Sequence, residues 1–169
     1  QAACSSPQLI AWIGSDDQIE QAQHILWPPF IELVKKRYEL ADIDFMNKFV
    51  TSCDEIIKNK NITDVVFEDP RLYRFRLAQL SSDQENMRAY YGSVHEIKLS
   101  TLNSLNEIVN EKYQTLTYYG FNQQEMLDYV QNNDLRGIDR IVPIGKAIDM
   151  NVIWDGYDII SNLSRHIDV

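Results

Sequence analysis

From Gln8 onward the apolar residues of this chain switch back and forth between two spacings, and that switching limits what it can fold into. Leu9-Ile10-Ala11-Trp12-Ile13 is a short continuous apolar run, as a buried strand needs. Ile19, Ala22 and Ile25-Leu26 then recur at helical spacing, and so do Met46, Phe49, Val50, Cys53, Ile56 and Ile57. Leu72-Tyr73-Arg74-Phe75-Arg76-Leu77 alternates with a period of two, and Tyr113 to Tyr119 is rich in the Tyr and Thr that strands favour. Strands alternating with helices point to an α/β fold: a mixed or parallel sheet flanked by helices.

Local signals set the expected boundaries. A strand over Gln8 to Ile13 turns at Gly14-Ser15 into a helix, with Ser15 and Gln18 at capping-box spacing. Pro28-Pro29 predicts a break near Trp27 and a second helix from Pro29 to about Tyr38, because proline lacks a donor and restrains the residue before it. A helix over Ile43 to Lys58 should bury its apolar face, Cys53 included. Strands follow over Ile62 to Phe67 and Leu72 to Leu80. A polar turn over Ser81 to Asn86 precedes one or two strands in Met87 to Leu99, broken near Gly92. Ser104 with Glu107 predicts a short helix to Lys112, with Leu105, Ile108 and Val109 inward. Asn122 with Glu125 predicts another, with Met126, Leu127 and Val130 inward. Arg140 to Ile144 reads as a strand, Lys146 to Met150 as a loop and Asn151 to Trp154 as one more short strand. The tail Ile159 to Ile167 suits helix or strand. The chain shows no repeat or linker, so 1–169 is expected to form one compact unit.

Composition excludes several classes. A net charge of -9, with the basic residues scattered, argues against nucleic acid as the main partner. No apolar stretch approaches the roughly 20 residues that span a bilayer. The start has neither the basic segment nor the apolar core of a secretory signal. The three histidines, His24, His95 and His166, are far apart and form no metal-binding spacing. The six glycines stand apart, and none forms the G-x-G-x-x-G loop that cradles a dinucleotide. Asp16-Asp17 suit the first turn of a helix without any catalytic role.

The two cysteines contrast. Cys53 lies on a helical stripe, whereas Cys4 stands in the polar segment Ala3-Cys4-Ser5-Ser6-Pro7-Gln8, directly before a strand. A thiol at such a turn can be held on a rigid base as a nucleophile. Its alternative is the small buried hydrophobe that free cysteine often is. Among the histidines, His95 in Gly92-Ser93-Val94-His95 is the candidate for a dyad with Cys4, against the plainer reading of a surface or strand-edge histidine.

Four segments in order carry a resemblance: Ala3-Cys4-Ser5-Ser6-Pro7-Gln8; Tyr113-Gln114-Thr115-Leu116-Thr117-Tyr118-Tyr119-Gly120; Arg136-Gly137 through Pro143-Ile144-Gly145; and Trp154-Asp155-Gly156-Tyr157-Asp158. Together they resemble the C-terminal catalytic part of the bacterial long-chain fatty acyl-CoA reductases of the luminescence type, the LuxC family of the aldehyde dehydrogenase superfamily. The resemblance implies an aldehyde-dehydrogenase-like catalytic domain over 1–169, with a nucleotide-binding domain upstream. It implies Cys4 as the nucleophile that forms a thioacyl-enzyme and NADPH, bound mainly by the upstream domain, as reductant to a fatty aldehyde. It further implies acyl-CoA or acyl-protein thioester as substrate, acyl-protein synthetase and acyl-transferase subunits as partners, a homo-oligomer and a cytoplasmic location. On this reading the 169 residues alone are inactive as a reductase. The alternatives are a short-chain CoA-acylating aldehyde dehydrogenase and a non-catalytic assembly domain of a multienzyme complex.

Overall fold

The computed structural model describes residues 6–87, 90–165 and 167. They fall into two compact units meeting at Ser104 and Leu105, where the sequence reading expected one. Both units mix helices with sheet, so the α/β expectation holds at that level, with a mixed parallel and antiparallel sheet in the first.

The first unit runs β1 (Leu9–Ile13), α1 (Asp16–Arg37), α2 (Asp42–Lys58), β2 (Ile62–Asp69), β3 (Leu72–Leu77) and β4 (Ser93–Leu99). Its four strands lie in the order β1-β4-β3-β2. β4 pairs parallel with both β1 and β3, Leu9 opposite His95 and Phe75 opposite His95, while β2 and β3 form an antiparallel hairpin. Side chains alternate across a strand, so each face of the sheet has its own set. Ile10, Trp12, Leu72, Arg74, Val94 and Glu96 share the face that α1 covers with Ile19, Ala22, Leu26, Trp27, Phe30, Ile31 and Val34. Tyr73, Phe75 and His95 lie on the other face, and α2 reaches them through Lys48 and Glu55.

α1 starts as expected. The Ser15 hydroxyl accepts from the Gln18 N–H, and the Gln18 side chain accepts from the Ser15 N–H at 2.9 Å. The break near Trp27 does not occur, since Pro28 and Pro29 sit inside one continuous helix. Both prolines are exposed, as are His24 and Ile25, whose carbonyls lose their helical donors. Water can satisfy those carbonyls, and burial of Trp27 one residue earlier holds the helix through the defect.

α2 departs most from expectation. Ile43, Met46, Phe49, Val50, Ile56 and Ile57 are exposed, and Cys53 is only half-buried, so Cys53 is not the core residue its stripe suggested. The inward positions are Lys48 and Ser52. Gly92, at φ 77°, marks the start of β4. A Cβ there would lie 2.2 Å from the Arg71 carbonyl oxygen, which only glycine avoids.

The second unit contains β5 (Thr115–Tyr118), α3 (Gln123–Asn132), β6 (Arg140–Pro143), β7 (Ile153–Trp154), β8 (Tyr157–Asp158) and α4 (Ile159–Leu163). β5 and β6 pair parallel, and β7 and β8 form a small hairpin. Asn122 caps α3 in a full capping box with Glu125. Met126 is buried as expected, but Leu127 and Val130 are exposed and Tyr129 takes the inward place. The helix expected over Ser104 to Lys112 is instead a 3-10 turn over Leu102–Glu107, so Ser104 is not its cap, although Leu105 and Ile108 are buried. Of the tail, Ile159–Leu163 forms a short helix.

Candidate functional site

Cys4, the expected nucleophile, and His166 lie outside the described residues. The chain is tied into the sheet from Gln8, whose carbonyl accepts from the His95 N–H at 3.1 Å. β1 begins one residue later, with Leu9 opposite His95.

His95 is fully buried, which removes the surface or strand-edge reading. Its Nε2 is hydrogen-bonded to the Glu55 carboxylate, and its ring lies against Phe75 with centroids 5.7 Å apart. Nδ1 is buried with no hydrogen-bond partner among the described residues. A carboxylate on one nitrogen fixes the ring's orientation and tautomer, the arrangement a proton-transferring histidine requires. Beside Glu55 opens a cleft of about 380 Å³, lined also by Lys58, Asn59, Phe75, Met87 and Tyr90.

On the opposite face, Glu96 and Arg74 form a buried pair at 3.2 Å. The Trp12 indole N–H donates to Glu96 at 2.8 Å, and Arg74 also pairs with Glu68 and lies over the Trp27 ring at 4.2 Å. Burial pushes the Glu96 carboxyl above its ordinary range, against the opposing pull of Arg74 and Trp12. These ion pairs, the indole hydrogen bond and the ring contact join side chains from different elements, so the cluster ties β1, β2, β3, β4 and α1 together. The cluster was not anticipated from the sequence, yet it left a signal there: Arg74 stands at the same alternation phase as Leu72 within β3.

Lys48 is a second unforeseen group. It is fully buried, donates to the Pro70 carbonyl at 3.0 Å and stands 4.0 Å over the Tyr73 ring. Burial lowers its pKa to about 7, with nearby Asp69 pulling the other way.

In the second unit, three of the four resemblance segments meet, Tyr113–Gly120 joining Arg136–Gly145 through the parallel pairing of β5 with β6. The Arg140 guanidinium donates to the carbonyls of Ala147 and Lys146, the latter at 3.0 Å, and lies 4.8 Å over the Trp154 ring. Gly137 packs so closely on 110–111 that a Cβ would fall 1.8 Å from the Asn110 carbonyl oxygen. Thus Arg136–Gly145 and Trp154–Asp158 form one joined substructure around Arg140.

Among the described residues no three of His, Cys, Asp or Glu come together to hold a metal ion, and no helix is long and apolar enough to cross a membrane. Nor does the β1-to-α1 turn of the first unit fit NADPH. The β1-to-α1 turn is where a dinucleotide's phosphates would sit on a helix N-terminus. Here it carries Asp16 and Asp17, and the Gln18 side chain fills the space over Gly14, where a Cβ would meet its Oε1 at 2.9 Å. No family model matches the chain, and no curated protein matches it either.

Proposed function

We propose that this chain is the catalytic part of a long-chain fatty acyl-CoA reductase resembling the LuxC family, with Cys4 as its acyl-accepting nucleophile. The observation that carries this reading is the order of the four segments, beginning with a thiol four residues before the backbone is pinned to the sheet at Gln8. The Cys4 thiolate would attack the thioester carbonyl and expel the CoA thiol, leaving a thioacyl-enzyme. The backbone N–H of Cys4 is the natural donor to the developing oxyanion. The reductant would be NADPH, held by parts of the enzyme other than the described residues. Acyl-protein synthetase and acyl-transferase subunits are the proposed partners, and a cytoplasmic location is part of the same reading.

Incubation with a radiolabelled long-chain acyl-CoA tests the assignment. Label should bind covalently, be released by hydroxylamine, persist in Cys53→Ser and disappear in Cys4→Ser. Label that survives loss of Cys4 but not of Cys53 would overturn it.

A further inference from the structure

The two edges of the first unit's sheet are built differently. β2, at one end, is blunted as sheet edges commonly are. Its register shifts twice, between Ile62 and Asp64 and between Val66 and Asp69, and it carries Asp64, Glu68 and Asp69. β1, at the other end, has neither device. Leu9-Ile10-Ala11-Trp12-Ile13 pairs with β4 in unbroken register and holds no charge, proline or glycine.

The hydrogen bonds of β1 define what its open edge offers. The Gln8 carbonyl accepts from His95 and the Gly14 N–H donates to Leu99, so the even-numbered residues of β1 face β4. The N–H and C=O groups of Leu9, Ala11 and Ile13 therefore point away from the sheet, with no hydrogen-bond partner among the described residues. Three donors and three acceptors at steps of about 6.7 Å match one extended strand. Leu9, Ile10, Ala11 and Ile13 are only half-buried, so an added strand would also cover apolar surface on both faces.

The charge beside this edge says which strand fits. Just beyond Ile13, Asp16 is paired with Lys98 at 2.6 Å, whereas Asp17 makes no ion pair among the described residues. A second copy of β1 brings Asp17 no cation, because the first Lys or Arg of the sequence is Lys35, and each copy adds a net charge of -9. A strand with a basic end from a different polypeptide supplies both the backbone pairing and the cation.

We propose that the open edge of β1 is a docking site for a partner polypeptide, which adds one extended strand, apolar at alternate positions and basic at its end, to this sheet. The proposal does not depend on the acyl-transfer reading. Main-chain hydrogen bonds to Leu9, Ala11 and Ile13 supply affinity, and Asp17 selects the basic end.

Fluorescence anisotropy with the 169-residue chain tests it, with circular dichroism to confirm that each variant is folded. The probe is a fluorescein-labelled peptide of alternating valine and threonine between terminal lysines, which serve either strand direction. It should bind with Kd at or below about 100 µM. N-methylation of one alternate set of its amides should abolish binding and of the other set should leave it, because only one set faces β1. Ala11→Pro removes one outward N–H, leaves the ladder to β4 intact and should weaken binding by about tenfold or more. Asp17→Lys should reverse the preference for lysine over glutamate at the peptide ends. No binding, equal loss for both methylated sets, indifference to Ala11→Pro, or an unchanged end preference would each overturn the proposal. So would self-association of the wild type that Ala11→Pro abolishes, since a second copy would then be the occupant.

Discussion

Lys48 shows how a single residue can run against the pattern around it. An unfolded lysine stays protonated to about pH 10.5, whereas burial brings the folded group down to about 7. Between those values the unfolded chain binds more protons than the folded one, so the stability contributed at this site rises with pH across that window. Below about pH 7 the full cost of the buried ammonium is present. Lys48→Met keeps a stem of similar length over Tyr73 and removes the charge. We expect it to be more stable than the wild type by roughly 1–3 kcal/mol near pH 6, with the gap narrowing towards pH 10, by urea unfolding at each pH. A gap that stays constant would show that Lys48 titrates normally. Nothing in the sequence marks this lysine, because its burial follows from Pro70 and Tyr73, which are distant in the chain. His95 was singled out, but its partner Glu55 was not. Forty positions separate them, and only the packing of α2 on β4 joins them.

At the scale of elements, local signals read well wherever the deciding interactions are themselves local. The capping boxes at Ser15 and Asn122 join residues three apart, and both form. The box at Ser104 does not, because residues Leu102–Glu107 tighten into a 3-10 turn. The double proline misled for a related reason. Its local cost is real, but it falls on the solvent side of α1, while Trp27, Phe30, Ile31 and Val34 are held by the sheet. Gly137 has the opposite character, since its role is a tertiary contact that φ 113° makes possible. Gly137→Ala must move the backbone at Asn110 or rebuild the turn before β6. We expect a loss of about 2–4 kcal/mol. Hydrogen exchange should show the loss as lower protection in β5 and β6, with the strands of the first unit unchanged. Uniform loss across both units would mean that they unfold as one.

At the scale of the whole molecule, the segments that carry the resemblance are divided between two units. The Cys4 segment leads into the first, and the substructure around Arg140 and Trp154 belongs to the second. The acidic β1-to-α1 turn gives a dinucleotide no phosphate site. We therefore expect the 169 residues to accept an acyl group without oxidising NADPH, measured as absorbance loss at about 340 nm alongside aldehyde trapping. Aldehyde formation by this chain alone would overturn that expectation. The sequence by itself determined the α/β class, the order of nearly all strands and helices and the caps that start α1 and α3, because these rest on periodicity and on hydrogen bonds a few residues long. Only the tertiary structure decided which side of α2 faces inward. An apolar stripe has the same period whether its own sheet or another molecule covers it. Here Tyr73 and His95 on the sheet recruit Lys48 and Glu55, and the stripe is left facing out.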